Sequence, residues 1–579
     1  MVQIELSKKR RLSAKGIFFG LIAAFILVIS AIFFLFYPFA STEKTVYFHG
    51  LNPIIYKGAQ QGNALIEKNK VYIPLSFLKK DLDNSVIMDE QSKSIIITSN
   101  DKVVQLPLNS LKYYVNGKQK KIQQAPIITK DGDVFAELDL LLSIYPVQYK
   151  RLPESHAVWI QRAGEEYTNG TIAADSAKAD WLRLRTSASV RTPYTAETSN
   201  HEPVFIEREK DGYYFVRKAN GIGGYIKKDY VKTEDKVKIN IAQTSVTYSL
   251  PKINGPLNLT WEAVYTKTPA SSTLPVMPGI NVVSPTWFSL ASEKGAIKNK
   301  ASLQYSKWAH QKGYQVWGAF SNSFDPGLTF QTLKNFENRQ NIIRQLLRCS
   351  KQYQIQGINF DIENVNEEDG QLVTQLVKEA APYFHAAGLI VSMDITFPSG
   401  DHNKWSSFYE RSKLSQIADY LIVMAYDEHT SAVTGEGSVA SLPWVESNLK
   451  NLLTEVPKEK LVLGVPLFSR LWKEQTNPDG SVHITSKAVS MDTAKSWLAS
   501  KGIVPTYDKQ SGQNYAQYSA PNEDTTYKIW LEDEMSLTKR VQLAEKYHLA
   551  GVASWSRNFG DQTAWTALTP ETDKNMAKK

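Results

Sequence analysis

Between Leu257 and Ser556, short apolar runs alternate with longer stretches in which apolar residues recur every three or four positions. The runs are 257–264, 280–284, 315–320, 357–362, 390–395, 420–425, 461–467 and 551–555. A run such as Tyr420-Leu421-Ile422-Val423-Met424-Ala425 lacks polar alternation, as a parallel strand covered on its outer face by helices requires. Leu372, Val373, Leu376, Val377, Ala380 and Phe384 form one apolar face of a helix, and Gly388 supplies a left-handed stop. Eight strands with helices between them predict an α/β chain whose main body is a (β/α)8 TIM barrel. An open doubly wound sheet is disfavoured, because no Gly-x-Gly-x-x-Gly follows a first strand and polar residues gather at the strands' C-terminal ends. The stretch from Trp472 to Asp533 is too long for a loop and predicts a small α+β insertion at about 473–533.

Upstream of the barrel the pattern changes to short alternating strands. Residues 43–165 are β-rich and contain a repeat at an offset of 63, with Val71-Tyr72-Ile73-Pro74-Leu75-Ser76-Phe77-Leu78 matching Val134-Phe135-Ala136-Glu137-Leu138-Asp139-Leu140-Leu141. With Tyr114-Val115-Asn116-Gly117-Lys118 between the copies, this stretch resembles the stalk-like module at the N-terminus of copper amine oxidases. It holds no His cluster for copper, and a spacer role is expected. Residues 175–235 resemble a bacterial SH3-type barrel, through Leu182-Arg183-Leu184-Arg185-Thr186, Asp211-Gly212-Tyr213-Tyr214-Phe215-Val216 and Gly223-Gly224-Tyr225-Ile226. That resemblance implies contact with cell-wall peptide or glycan, the alternative being a passive packing domain. Residues 234–255 read as a linker.

Ile17 to Phe36 are twenty consecutive uncharged, mostly apolar positions, enough to cross a bilayer. The apolar core is long and runs into Tyr37-Pro38-Phe39-Ala40 with no short core and small-x-small site, so an uncleaved transmembrane helix (17–37) is expected over a secretory signal. Lys8, Lys9, Arg10, Arg11 and Lys15 before it predict a cytoplasmic basic tail (1–16), with everything after the span outside the cell. This places the chain at the cell membrane, with secretion after cleavage as the alternative. The net charge is +9, but residues 1–15 carry +4 of it, and the remainder has no long basic run. Nucleic acid is therefore not an expected partner. A single Cys349 excludes an internal disulfide, and the absence of Cys-x-x-Cys and His-Glu-x-x-His patterns gives no indication of a metal; no cofactor is expected.

Candidate chemistry lies at the strand ends. In Asn359-Phe360-Asp361-Ile362-Glu363 the three polar residues are two apart and so share one face of the fourth strand, projecting together into the barrel. Tyr426 and Asp427 end the sixth strand and Trp555 the eighth. Gly357-Ile358-Asn359-Phe360-Asp361-Ile362-Glu363, Met424-Ala425-Tyr426-Asp427 and Trp555, in this order over about 255–570, resemble glycoside hydrolase family 18, the chitinase family. Ile280-Asn281-Val282-Val283-Ser284-Pro285-Thr286-Trp287-Phe288 and Tyr426-Asp427-Glu428-His429 are similar to its branch of peptidoglycan and spore-cortex N-acetylglucosaminidases, which makes chitin the secondary substrate.

The resemblance implies a membrane-anchored extracellular glycosidase acting on β-1,4 bonds of N-acetylglucosamine-containing glycan. Catalysis would be substrate-assisted, the sugar's own acetamido oxygen attacking the anomeric carbon. Glu363 would be the general acid, Asp361 would orient the acetamido group, and Tyr426 would bond its oxygen. Trp555 would floor the reacting sugar, and Asp427 would touch hydroxyls or tune the acid. Asn359, Asn322, Arg470 and Trp287 are further candidates for the substrate site, and His429 is a cleft-edge donor or inert. The usual pattern has Asp at the positions of Gln356 and Asn359; Asn359 is expected to bond Asp361 without taking its proton. The competing class is a wall-glycan-binding protein or surface scaffold that does not cut.

Overall fold

The computed structural model describes residues 14–36, 39–173, 175, 177–242, 246–400, 402–430, 434–521 and 524–569. The expected basic tail lies outside these residues except for its last three positions. Residues Ala14–Phe36 form one helix, about 34 Å long at 1.5 Å per residue, which is sufficient for a hydrocarbon core.

The chain divides into two units, 1–84 with 128–244 and 85–127 with 245–579. In the first, the predicted repeat appears as a strand running into a short helix: Lys70–Pro74 with Leu75–Phe77, and again Asp133–Glu137 with Leu138–Leu141. The two strands pair antiparallel with Ile73 opposite Ala136. These residues are equivalents at the offset of 63, so the copies are related by a local two-fold. The same unit holds a seven-stranded antiparallel sheet. Its strand Glu166–Ile172 pairs with Val231–Lys238, so the expected linker begins later than residue 234; main-chain pairing carries this exposed, polar strand four residues further.

In the second unit eight parallel strands close a ring: β1 Leu257–Glu262, β2 Val282–Pro285, β3 Gln315–Ser321, β4 Gly357–Asp361, β5 Ile390–Ile395, β6 Tyr420–Met424, β7 Leu461–Pro466 and β8 Gly551–Trp555. Closure comes from β8 pairing with β1 and from β2 pairing with both β1 and β3. The period of two then separates the side chains. On β4, Ile358 and Phe360 point outward and are fully buried against the helix Gly370–Ala386, whose Val373, Leu376, Val377, Ala380 and Phe384 form the face read from the sequence. Gly388 has φ +72°, the left-handed stop. Inward-facing Leu257, Leu259, Trp261, Trp317, Ile390, Ile422, Val462 and Ala553 fill the barrel interior. Gly357 belongs to this layer: a Cβ there would sit 2.7 Å from Trp317 Cδ1, so the bulky indole requires glycine opposite.

The insertion is a five-stranded antiparallel sheet with one helix, Met491–Lys501. It begins at Phe468, with strand Phe468–Thr476, and ends with strand Thr525–Leu531. The antiparallel meander 87–121 also belongs to this unit, and Asp89 Oδ1 accepts from the Phe336 N–H (2.9 Å) at the start of the helix Phe336–Tyr353.

Candidate active site

β4 ends at Asp361, and Glu363 lies two residues beyond, its main chain held from the neighbouring strand. Asn322, the first residue after β3, accepts from the Glu363 N–H (3.1 Å) and donates through Nδ2 to the Glu363 carbonyl (2.7 Å) and to Thr329 Oγ1 (2.9 Å). The Tyr409 hydroxyl donates to the Ile362 carbonyl (2.8 Å). The acidic segment is thus clamped from both sides, which fixes where the Glu363 side chain starts.

Asp361 and Glu363 are hydrogen-bonded to each other through their side chains. Two carboxyls can do this only if one carries a proton. Burial pushes Asp361 up to about 6. Burial, followed by the charge of Asp361, pushes Glu363 well above the usual carboxylate range, so Glu363 is the group that keeps the proton near neutral pH. Tyr426 follows β6 and lies over the same space, its hydroxyl held neutral by burial and the surrounding carboxyls. Asp427 takes a left-handed φ of +65° and faces Arg470 at 3.7 Å. Burial raises its pKa while Arg470 opposes that rise.

These groups line a cavity of about 850 Å³, within the range of small-ligand sites. Asp361, Glu363, Tyr426, Asp427 and Trp555 all contribute to its wall. Trp261 lies against Trp555, ring centroids 5.9 Å apart, and further out the wall carries Phe397, Trp444 and the half-exposed Trp405. Apolar ring faces near a few convergent carboxyls suit a sugar, whose CH faces stack while its hydroxyls take hydrogen bonds.

A profile of the family described as "Glycosyl hydrolases family 18" matches residues 261–560, more than half of the chain. The chain belongs to glycosyl hydrolase family 18. As a member it is a glycosidase. Its relatives include "Uncharacterized glycosylase YvbX" of Bacillus subtilis, 26% identical over 298 residues, covering 50% of this chain and 84% of the relative. Another is the "Cortical fragment-lytic enzyme" of the same organism, 22% identical over 243 residues, 42% of this chain and 55% of that one. A solved spore cortex-lytic enzyme SleL of Bacillus megaterium QM B1551 shares 17% identity, with a TM-score of 0.48 over 58% of this chain and 77% of its own. A second profile, "Copper amine oxidase N-terminal domain", matches residues 57–156.

Four residues expected at the substrate site of this glycosidase lie elsewhere. Trp287 is fully buried in the shell between strands and helices, its Nε1 donating to Thr268 Oγ1 (2.9 Å); it sits beyond the end of β2 on the side facing away from the barrel axis. Asn322 is buried beneath the cavity, where it holds Glu363. Arg470 does not line the cavity and reaches it only through Asp427. Asn359 is fully buried, and its partner is not Asp361: Nδ2 donates to Asp394 Oδ2 (2.7 Å) and Oδ1 accepts from Ser392 Oγ (2.6 Å). Gln356, the other departure from the family pattern, caps β3 from outside by accepting from the Val316 N–H (3.0 Å). His429 is tied to the carbonyls of Thr434 and Gly435.

The sequence reading missed Asp394, Trp261 and the aromatic wall. Asp394 stands inside the apolar run of β5, and a charge within such a run was the available signal. Trp261 continues the inward series Leu257, Leu259 and could have been found by parity. Trp405 lies in the loop after β5, where no periodicity points to it.

Proposed function

We infer that the enzyme cleaves β-1,4 bonds beside N-acetylglucosamine in peptidoglycan, by substrate-assisted catalysis with retention. The observation carrying this reading is that Glu363 and Asp361 line one cavity with Tyr426 and Trp555, where burial and the Asp361 charge favour the neutral form of Glu363. Glu363 donates its proton to the glycosidic oxygen. Asp361 takes the acetamido N–H and turns the acetamido oxygen towards the anomeric carbon, and Tyr426 bonds that oxygen. Attack by this internal nucleophile removes the need for a protein nucleophile. Trp555 carries the reacting sugar, with Asp427 at its hydroxyls.

Peptidoglycan is favoured over chitin by the cortical fragment-lytic relative. The reading includes membrane anchoring by the helix Ala14–Phe36, with the remaining domains outside the cell and residues 175–235 acting as an SH3-type wall-binding module. Mass spectrometry of products from purified peptidoglycan and from chitin oligomers tests the substrate: fragments cut at N-acetylglucosamine reducing ends are expected from the former. Binding without product would instead identify a lectin, and products from chitin alone would reassign the substrate.

A further inference from the structure

Trp261 and Trp555 stand together in the cavity wall, where the barrel closes between β1 and β8. Their rings are tilted by 60° with centroids 5.9 Å apart, so they do not stack on one another. The placement of each indole follows from the backbone it hangs from. The paired register of β1 with β8 runs from Leu257 opposite Gly551 to Thr260 opposite Ser554 and stops there, one residue short of both indoles. Each strand end is held instead to its outer neighbour: Trp261 stands opposite Ser284 of β2, and Trp555 opposite Pro466 of β7, its carbonyl accepting from the Leu467 N–H (2.8 Å). At the level of the indoles, the seam between β1 and β8 is joined by side chains.

Glu262 follows Trp261 and, with the opposite parity, points out of the barrel, where it is 1% exposed. Its carboxylate takes two corners of the Arg557 guanidinium, Oε1 accepting from Nη2 (2.8 Å) and Oε2 from Nε. From the far side the Tyr305 hydroxyl, on the helix Leu303–Gln311, donates to Oε2 at 3.5 Å. The other links across the seam are longer: Thr260 Oγ1 and Ser554 Oγ donate at 3.3 Å below the indoles, and Asn558 Nδ2 lies 3.5 Å from the Ala263 carbonyl above them. Neither Glu262 nor Arg557 lines the cavity, so neither touches the sugar. Stability alone does not account for the pair, because burying two charges costs about what their attraction returns and a packed apolar pair does as well. Two parallel N–H···O bonds do add geometry, fixing distance and angle together. They do so one residue from Trp261 and two from Trp555.

We propose that Glu262 and Arg557 are positioning residues for the sugar platform, their two-point ion pair setting the spacing and tilt of Trp261 and Trp555 and so the height of the reacting sugar against Glu363. This inference rests on the proposed reading that Trp555 carries that sugar.

Arg557→Lys tests it, because the charge is kept and the fork is lost. On peptidoglycan, kcat should fall about tenfold to 100-fold with KM within about threefold, since the outer wall still binds the glycan while the reacting sugar is displaced from the acid. The apolar pair Glu262→Leu/Arg557→Met should bring the melting temperature close to wild type and leave kcat low. Recovery of kcat together with the melting temperature would show packing alone at work and overturns the proposal. Fluorine NMR of protein labelled with fluorotryptophan reads the platform without turnover. The resonances of Trp261 and Trp555, assigned through Trp261→Phe and Trp555→Phe, should shift or broaden in Arg557→Lys, while those of Trp497 and Trp530 in the insertion stay in place. Unmoved platform resonances, or a wild-type kcat in Arg557→Lys, overturn the proposal. Trp555→Ala and Glu363→Gln in the same assay separate the two levels. Near-wild-type turnover in either overturns the reading on which the proposal rests, whereas loss of activity in both beside an unaltered Arg557→Lys overturns the positioning alone.

Discussion

Asn322→Ala removes the clamp on the acid without removing a side chain of the cavity wall. Four hydrogen bonds disappear: the two at the Glu363 main chain (2.7 and 3.1 Å), the one to Thr329 Oγ1 (2.9 Å) and the one accepted from the Phe324 N–H (3.3 Å). At about 0.5–1.5 kcal/mol net for each, the expected loss of stability is about 2–6 kcal/mol. The catalytic consequence is the larger one. A Glu363 free to shift by about 1 Å should lose about 100-fold in kcat, equivalent to about 2.7 kcal/mol of transition-state stabilisation. KM should stay within about twofold, because Asn322 makes no part of the cavity wall. Asn322→Asp keeps the acceptor for the Glu363 N–H but turns the donor into an acceptor facing the Glu363 carbonyl, and should fall between alanine and wild type. Steady-state release of reducing ends, alongside a denaturation curve for each variant, measures both effects. A folded Asn322→Ala enzyme with wild-type kcat, or one whose loss lies wholly in KM, would refute the claim that this side chain positions the acid.

Three further outcomes follow from the same geometry. Tyr426→Phe deletes one hydrogen bond to the acetamido oxygen and should lower kcat about tenfold to 100-fold, less than loss of Glu363, as measured by the same assay. Trp405→Ala, at the half-exposed rim of the cavity, should raise KM on long glycan strands severalfold and leave kcat on a short oligomer unchanged, since a stacked sugar there lies away from the reacting bond. Burial, then the charge of Asp361, raises the Asp394 pKa well above its ordinary value. Above about pH 4 the unfolded chain releases a proton that the folded one retains, so the native state loses about 1.4 kcal/mol per pH unit until the folded pKa is reached. Asp394→Asn should therefore gain thermal stability over wild type as pH rises from 4 to 7; a difference in melting temperature that does not change with pH would contradict the raised value.

The barrel was legible because buried parallel strands leave continuous apolar runs and helices leave a three-and-four period, and both survive in the sequence without reference to partners. Asp361 and Glu363 were legible for the same reason, since strand parity alone puts them on one face. What hid Asn322 is that its role depends on β3 and β4 being neighbours, a fact of tertiary pairing. Trp287 misled because an aromatic residue at a strand end reads as a sugar platform until the side of the barrel it faces is known. Asp394 lay inside a run already assigned to the core, and its meaning emerges only once Asn359 is seen to bond it across the strands. The strand Val231–Lys238 escaped because both of its faces are largely polar, leaving main-chain pairing with Glu166–Ile172 as its main support.

The central claim is that Glu363 carries the proton that leaves with the glycosidic oxygen. Glu363→Gln is nearly isosteric, and Asn322 would still hold its main chain. Reducing-end release from purified peptidoglycan by this variant should fall by about 10⁴-fold or more, with binding of the glycan and the melting temperature close to wild type. Turnover within about tenfold of wild type would contradict the assignment of the acid and with it the proposed reaction.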